Sequence, residues 1–233
     1  MPDIDLSLVL SGPYHELLVG GFILSLQITG ISLLLALPLA TLIALLRVAP
    51  YPALRALAWL YVEGIRNVPL LAHLLFWYFA APELLPESLK LRLYAGNIEA
   101  SSAVVALTLY TAAYMAEDIR SGIRAVPATQ LDAARAMGMN FFQSMRLVVL
   151  PQAVRITVPP LISQTLNLWK NTSVATVIGV AELMYQAAKV ETATFRSLEA
   201  FMFATAAYLS VSIAITALAA AYHRFYPSPA RLS

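Results

Sequence analysis

Where charges are scarce, the ones that interrupt apolar runs are those placed to do chemistry. Lys170 heads the run Lys170-Asn171-Thr172-Ser173, fifteen residues past Arg155. A helix entering hydrocarbon near Arg155 carries that ammonium about 22 Å inward at 1.5 Å per residue, past the midplane of a ~30 Å core. An ionisable group at such depth costs at least roughly 2.5–3.5 kcal/mol unless it faces protein or water. The three polar residues that follow offer hydrogen bonds able to break the helix, and interrupted helices with freed backbone are where membrane carriers bind solutes. On this reading Lys170, Asn171, Thr172 and Ser173 line a path and the Lys attracts a carboxylate. The other reading has Lys170 pairing with Glu182 or another acid and only holding the bundle together.

Glu63 and Arg66 stand three residues apart, one helical turn, and Pro69 follows. They form either an ion pair at a bend or, for Arg66, an anion contact at the inner end of the path. Glu117 and Asp118 read as interface acids that pair with Arg120 or Arg124. His15, His73 and His223 are too dispersed to bind a metal. His73, in an apolar run, is a satisfied core or subunit-interface residue, or it faces a cavity. The aromatic run Phe76-Trp77-Tyr78-Phe79 reads as packing and interfacial belt.

The elements that position these groups follow from composition. Of 233 residues, 60% are hydrophobic and 12% charged, against roughly 45–50% and about 25% in soluble domains. The 28 charges cluster between long charge-free runs, the pattern of a polytopic membrane protein. Without cysteine there is no disulfide framework or thiol chemistry, and a net charge of +2 gives no reason to expect nucleic acid. The expected fold class is an all-α membrane protein with five spans at about 17–46, 55–82, 98–119, 153–172 and 199–223, forming one domain over 1–233. The first run follows Asp3, Asp5 and Glu16 and is too long for a secretory signal, so it reads as retained. An N-out, C-in orientation places Arg47, Arg55, Arg120, Arg124, Arg135, Arg146, Arg155, Arg224 and Arg231 inside, against Lys90, Arg92, Lys189 and Arg196 outside. Positive residues favour the cytoplasmic side.

The longest hydrophilic stretch, about 120–152, is more ordered than a linker. Thr129 with Asp132 reads as a capping box opening a helix over 130–137. Gly138 supplies the positive φ that stops it, and Asn140 with Gln143 starts a second helix toward Leu150-Pro151. Ala133, Ala134, Met137, Phe141, Phe142 and Met145 form a small or apolar face that a groove on a soluble partner would bury.

The spacing Asp132-Ala133-Ala134, three residues, Gly138, nine residues, Val148, one residue, Leu150-Pro151 resembles the EAA loop of bacterial ABC-importer permeases, with Asp132 for the usual Glu and Val148 for the usual Ile. Arg66-Asn67-Val68-Pro69-Leu70-Leu71, Trp77-Tyr78-Phe79, Ala113 to Arg120, and Lys170-Asn171-Thr172-Ser173 with Ile178-Gly179 resemble the polar-amino-acid permeases. Within that family, 61–86 and 167–186 look most like the glutamate/aspartate-type subunit.

The resemblance implies the type I importer permease fold in a bacterial inner (plasma) membrane. It also implies coupling to an ATPase through Asp132, Ala133, Ala134, Gly138, Leu150 and Pro151; for Arg66 the matching motif supports only structural equivalence. The implied partners are two ATP-binding subunits, a second permease (self or paralogue), a periplasmic or extracellular amino-acid-binding protein, and lipid. No phosphate-binding Gly-x-x-x-x-Gly-Lys loop is present, so ATP and Mg are expected on the partner and no cofactor on this chain. Glutamate or aspartate is the expected substrate, with glutamine, histidine or arginine as alternatives. A secondary transporter calls for coupling-ion carboxylates and an internal repeat, and an intramembrane enzyme for His-Glu-x-x-His or a Ser–His pair; the sequence contains neither set.

Overall fold

The computed structural model describes residues 7–225, apart from the side chain of His223. Asp3, Asp5 and Arg231, used in the charge argument, lie outside the described residues.

The charge-free first run forms α2 (Gly12–Val48), preceded by the short α1 (Ser7–Leu10). It ends where Ala49, the residue before Pro50, takes an extended conformation (ψ 151°). Proline disfavours a helical residue before it, and the same rule divides the second predicted span. α3 (Pro52–Arg66) stops at Asn67-Val68-Pro69, and α4 (Leu70–Leu75) begins anew. It runs on through a π-helical turn, Phe76–Ala80, and a 3-10 turn, Ala81–Leu84. The expected single helix over 55–82 is thus two shorter pieces, broken at Asn67-Val68-Pro69.

α5 (Glu87–Tyr94) leads to α6 (Ile98–Arg124), whose first turn is capped by the Asn97 side chain accepting the Ala100 N–H at 2.8 Å. α7 (Ala128–Ala136) and α8 (Phe141–Ser144) follow, then a π-helical turn, Met145–Val149, and α9 (Leu150–Asn171). Pro151 lacks an N–H for the helical ladder, and the wider π turn directly before it accommodates the missing bond and the ring. α8 and α9 therefore form one rod through the π turn, and no break separates the 120–152 segment from the fourth predicted span. A 3-10 segment, Thr172–Ile178, ends at Gly179 (φ +85°), and α10 (Leu183–Thr194) and α11 (Ser197–Phe225) complete the described chain. Among the described residues, four helical stretches are long and apolar enough to cross a membrane: Gly12–Val48, Ile98–Arg124, Phe141–Ile178 and Ser197–Tyr222.

Small residues let the central helices approach. Ala36, Ala40 and Ala44 of α2 pack on Ala58 and Val62 of α3 and on Ala112, Met115 and Ala116 of α6. Lipid is as apolar as leucine, so close backbone packing rather than apolar burial drives such association. A second cluster joins Val9 and Leu18 to Leu183, Ala187 and Val190 of α10 and Ala200 and Ala204 of α11. It marks the end of the bundle opposite α7 and α8. α11 lies at the edge, with Leu209, Ile213 and Leu218 more than half exposed, a surface suited to lipid.

Candidate functional site

α6 and α9 lie side by side, and their facing stripes are polar. α6 supplies Tyr110, Thr111 and Tyr114; α9 supplies Gln164, Asn167 and Asn171 at i, i+3 and i+7, one helical face. With Leu168 these residues line a cleft of about 330 Å³. The Tyr110 hydroxyl donates to that of Tyr114 (3.3 Å), which donates to the Arg66 carbonyl (3.4 Å). Gln164 Nε2 donates to Asp118 Oδ2 at 3.0 Å, and Asn167 Nδ2 to Gln164 Oε1 at 3.5 Å. The Arg66 guanidinium lies over the Tyr114 ring, 5.1 Å from its centroid, and its buried Nε has no hydrogen-bond partner among the described residues. Phenols, amides, one carboxylate and one guanidinium together offer donors and acceptors for a zwitterionic solute.

Of the run Lys170 to Ser173, Asn171 lines the cleft. Lys170 is exposed beside it and makes no ion pair with a described residue. Its expected partner, Glu182, is instead held by hydroxyl groups. Thr172 is fully buried and donates to the Trp169 carbonyl at 2.8 Å; Ser173 donates to that of Lys170 at 2.7 Å. Both hydroxyls stabilise the end of α9 where the helix tightens, and Thr172 faces the core instead of the cleft.

The Glu63–Arg66 ion pair is absent. α3 ends at Arg66, which turns to Tyr114, while Asn67 Nδ2 donates to the Glu63 carbonyl (2.8 Å) and carboxylate (3.2 Å). Glu117 pairs with Arg120, as expected, and also with Arg47 at 3.5 Å. Asp118 takes Gln164 in place of an arginine. His73 is buried, donates through Nε2 to the Ile65 carbonyl (3.0 Å) and meets Tyr110 edge-on, a satisfied core histidine.

At one end of the bundle, α7 and α8 form the helix–turn–helix expected over 120–152. α7 begins one residue before the expected Thr129 cap, with Pro127 in the N-cap position and no side-chain cap bond. Thr129 therefore lies inside the first turn, and Asp132 approaches Arg135 at 4.0 Å, both exposed. Gly138 (φ +80°) ends α7 in a Schellman motif: the Gly138 N–H reaches the Arg135 carbonyl (2.9 Å) and the Met139 N–H that of Ala134 (3.1 Å). Asn140 and Gln143 form a reciprocal capping box at 2.9 Å each way. Met137, Phe141, Phe142 and Leu147 are exposed, Phe142 at 81%. Ala133 is exposed as well, but Ala134 is buried, and Leu150 and Pro151 are exposed at the start of α9.

Tyr110, Thr111, Tyr114, Gln164 and Asn167 were not singled out from the sequence. Being uncharged, they leave no mark on a charge map; the amide spacing on one face of an apolar helix is the signal that finds them.

Residues 36–226 match the family described as "Binding-protein-dependent transport system inner membrane component". The chain belongs to this family. It is 36% identical to the "Probable glutamine ABC transporter permease protein GlnM" of Bacillus subtilis (strain 168), over 91% of this chain and 90% of the relative. It is also 36% identical to the "Glutamate/aspartate import permease protein GltJ" of Escherichia coli (strain K12), over 82% of this chain and 80% of the relative. A solved structure titled "Crystal structure of an amino acid ABC transporter with histidines" superposes with a TM-score of 0.83 at 31% identity, covering 96% of this chain and 99% of that one. The protein is thus the multi-pass membrane subunit of an amino acid ABC importer, with the all-helical permease fold. It is not an enzyme, and ATP hydrolysis belongs to a separate subunit.

Proposed function

We propose that this permease carries a polar amino acid through the cleft between α6 and α9, and that the substrate is glutamate or aspartate. The observation that carries the reading is the polar cleft in an otherwise apolar bundle, lined by Tyr110, Thr111, Tyr114, Gln164, Asn167 and Asn171, with the Arg66 guanidinium over the Tyr114 ring and the exposed Lys170 next to Asn171 in the chain. Neither cation makes a salt bridge with a described residue. An acidic amino acid brings two carboxylates; Lys170 attracts one at the rim and Arg66 the other toward the α7–α8 end. Asn171, Asn167 and Tyr110 complete the lining. The glutamate/aspartate name of one relative supports this choice. Glutamine is the second reading, favoured by the Asp118–Gln164 pair, whose carboxylate suits an amide side chain better than an acid, and by the glutamine name of another relative.

The subunit works as one of a pair, with itself or a paralogue, on two ATP-binding subunits that hold ATP and Mg, in a bacterial inner membrane with the N-terminus outside. An extracellular or periplasmic binding protein delivers the amino acid. We read the described helices from Gly12 to Phe225 as one transmembrane domain. The 120–152 segment, with Asp132, Ala133, Gly138, Leu150 and Pro151, is the docking element through which ATPase closure rocks the helices between inward-facing and outward-facing states. Ala134 contributes by shaping that element from within.

Reconstitution with the ATPase and binding protein tests the substrate. Competition by unlabelled glutamate and aspartate at lower concentrations than glutamine, histidine or arginine is expected. Glutamine as the strongest competitor rejects the acidic assignment. Lys170→Met is expected to lower glutamate transport about tenfold or more, the scale of one lost charged hydrogen bond; unchanged transport removes Lys170 from the path.

A further inference from the structure

The 3-10 segment Thr172–Ile178 leaves α9 directly after Asn171, and its far end is fixed by a carboxylate that lies outside the cleft. Glu182 is fully buried at the N-cap of α10. Its Oε1 accepts from the Thr176 hydroxyl (2.5 Å) and the Tyr185 N–H (2.9 Å); its Oε2 accepts from the hydroxyls of Ser25 (3.1 Å) and Tyr208 (2.8 Å). The donors come from four elements: the 3-10 segment, α10, α2 and α11. An ionised carboxylate has about four acceptor sites and no donor, so this set matches the anion, with the single Ser25 proton shared between Glu182 Oε2 and the Gly21 carbonyl, 3.1 Å from each. The chain is drawn close to make the match. A Cβ on Gly21 of α2 would lie 3.0 Å from the Glu182 carbonyl and 2.7 Å from Gln186 Cγ, so a side chain there would have to displace Gln186 and press on the Glu182 backbone.

Such a group is not needed for stability, because packed apolar residues of equal volume serve a bundle as well or better than a buried charge. What a fully satisfied polar network does supply is a unique placement. From Thr176 back to Asn171 is five residues of 3-10 helix, about 10 Å at ~2 Å per residue, short enough to transmit that placement to the cleft.

We propose that Glu182 is a positioning residue of the transport path: its four-donor clamp pins the 3-10 segment to α2 and α11 and so sets where Asn171 and Lys170 stand at the cleft. The inference rests on the reading of that cleft as the solute path. It assigns Glu182 to the efficiency of transport, measured as amino acid moved per ATP hydrolysed.

Thr176→Val is the sharpest test, since it keeps the side chain's shape and removes only the donor on the 3-10 segment. In proteoliposomes holding the complete complex, with saturating loaded binding protein, the variant lowers amino acid moved per ATP about fivefold to tenfold, the effect of one lost hydrogen bond to a charge. Binding-protein-stimulated ATPase stays near wild type, and Tm falls by no more than the few degrees that one lost bond to a charge accounts for. Glu182→Gln, which turns an amide donor toward existing donors, moves the same ratio further in the same direction. Three results overturn the proposal. Thr176→Val with an unchanged ratio, while Lys170→Met lowers transport, removes the clamp and leaves the path reading standing. Both variants unchanged remove the path reading and the clamp together. Loss of accumulation or of ATPase stimulation in step with transport in Thr176→Val shows ordinary folding support in place of positioning.

Discussion

At the scale of the residue, the helix pair that forms the cleft depends on one close approach. The Thr157 hydroxyl, donating to the Ala153 carbonyl at 2.8 Å, occupies the space a Cβ on Gly122 would need. Gly122→Ala forces the threonine out of that bond and is expected to cost about 1–3 kcal/mol as overpacking. In a protein of this size that lowers Tm by roughly 2–4 °C per kcal/mol. Thr157→Ala in the same background removes the clashing oxygen and recovers most of the loss, so the two changes are non-additive. Melting of the four purified proteins in detergent checks it; additive losses disprove the contact. Residues with a charge or a special φ were legible in the sequence: Arg66, which stacks on Tyr114 of the cleft, and Gly138 at the helix stop; Asn171 was found only because it follows the charged Lys170. Tyr110 and Gln164 were not, because a neutral side chain in an apolar helix announces its role only when the facing helix is known. Glu182 was visible as a charge, but its donors lie on α2 and α11, 157 and 26 residues away, which spacing along one chain does not reveal.

At the scale of the element, prolines set the boundaries in one case and allowed a continuation in another. Pro50, Pro69 and Pro127 each stand just past a stop, whereas Pro151 lies within the first turn of α9 and the π turn before it keeps the rod unbroken. A proline in a string of letters does not say which it will be; the outcome depends on whether the preceding carbonyls find other partners. Pro127 also explains the misplaced cap, since a residue with φ fixed near −60° takes the N-cap position and pushes Thr129 into the helix. The Asn140–Gln143 box was legible because both partners lie within one turn. Asn140→Ala removes it at a cost of about 1 kcal/mol, equivalent to roughly a fivefold larger open population. Amides of Phe142, Gln143 and Ser144 then exchange about fivefold faster in hydrogen–deuterium exchange, with α6 unchanged. Equal protection in the variant shows that packing against the π turn, and not the box, holds α8.

At the scale of the whole molecule, the described chain starts and finishes at opposite ends of the bundle. α1 packs with α10 and the start of α11, whereas Tyr222 near the end of α11 shares a surface groove with Arg146, Leu150 and Pro151. That groove and the exposed Met137, Phe141, Phe142 and Leu147 are contiguous through α8 and the π turn. The largest aromatic exposure on this segment is therefore continuous with the rod that carries Gln164, Asn167 and Asn171. Force applied at Phe142 reaches the cleft along one helix, without crossing a loop. A soluble partner that seats on Phe142 needs an apolar groove, and a single cysteine there, in a chain with none of its own, reports contact directly. Ala134, the second alanine of the motif, is unsuited to that probe because it is buried. Phe142→Cys is expected to cross-link to a cysteine placed in the ATPase groove, with a yield that changes on adding ATP as the rod moves. Phe142→Ala is expected to lower binding-protein-stimulated ATPase by about tenfold or more, the effect of truncating a central aromatic anchor. A yield of zero in every nucleotide state, with the complex still assembled, rules out Phe142 as the point of contact and moves the drive to another face of the segment.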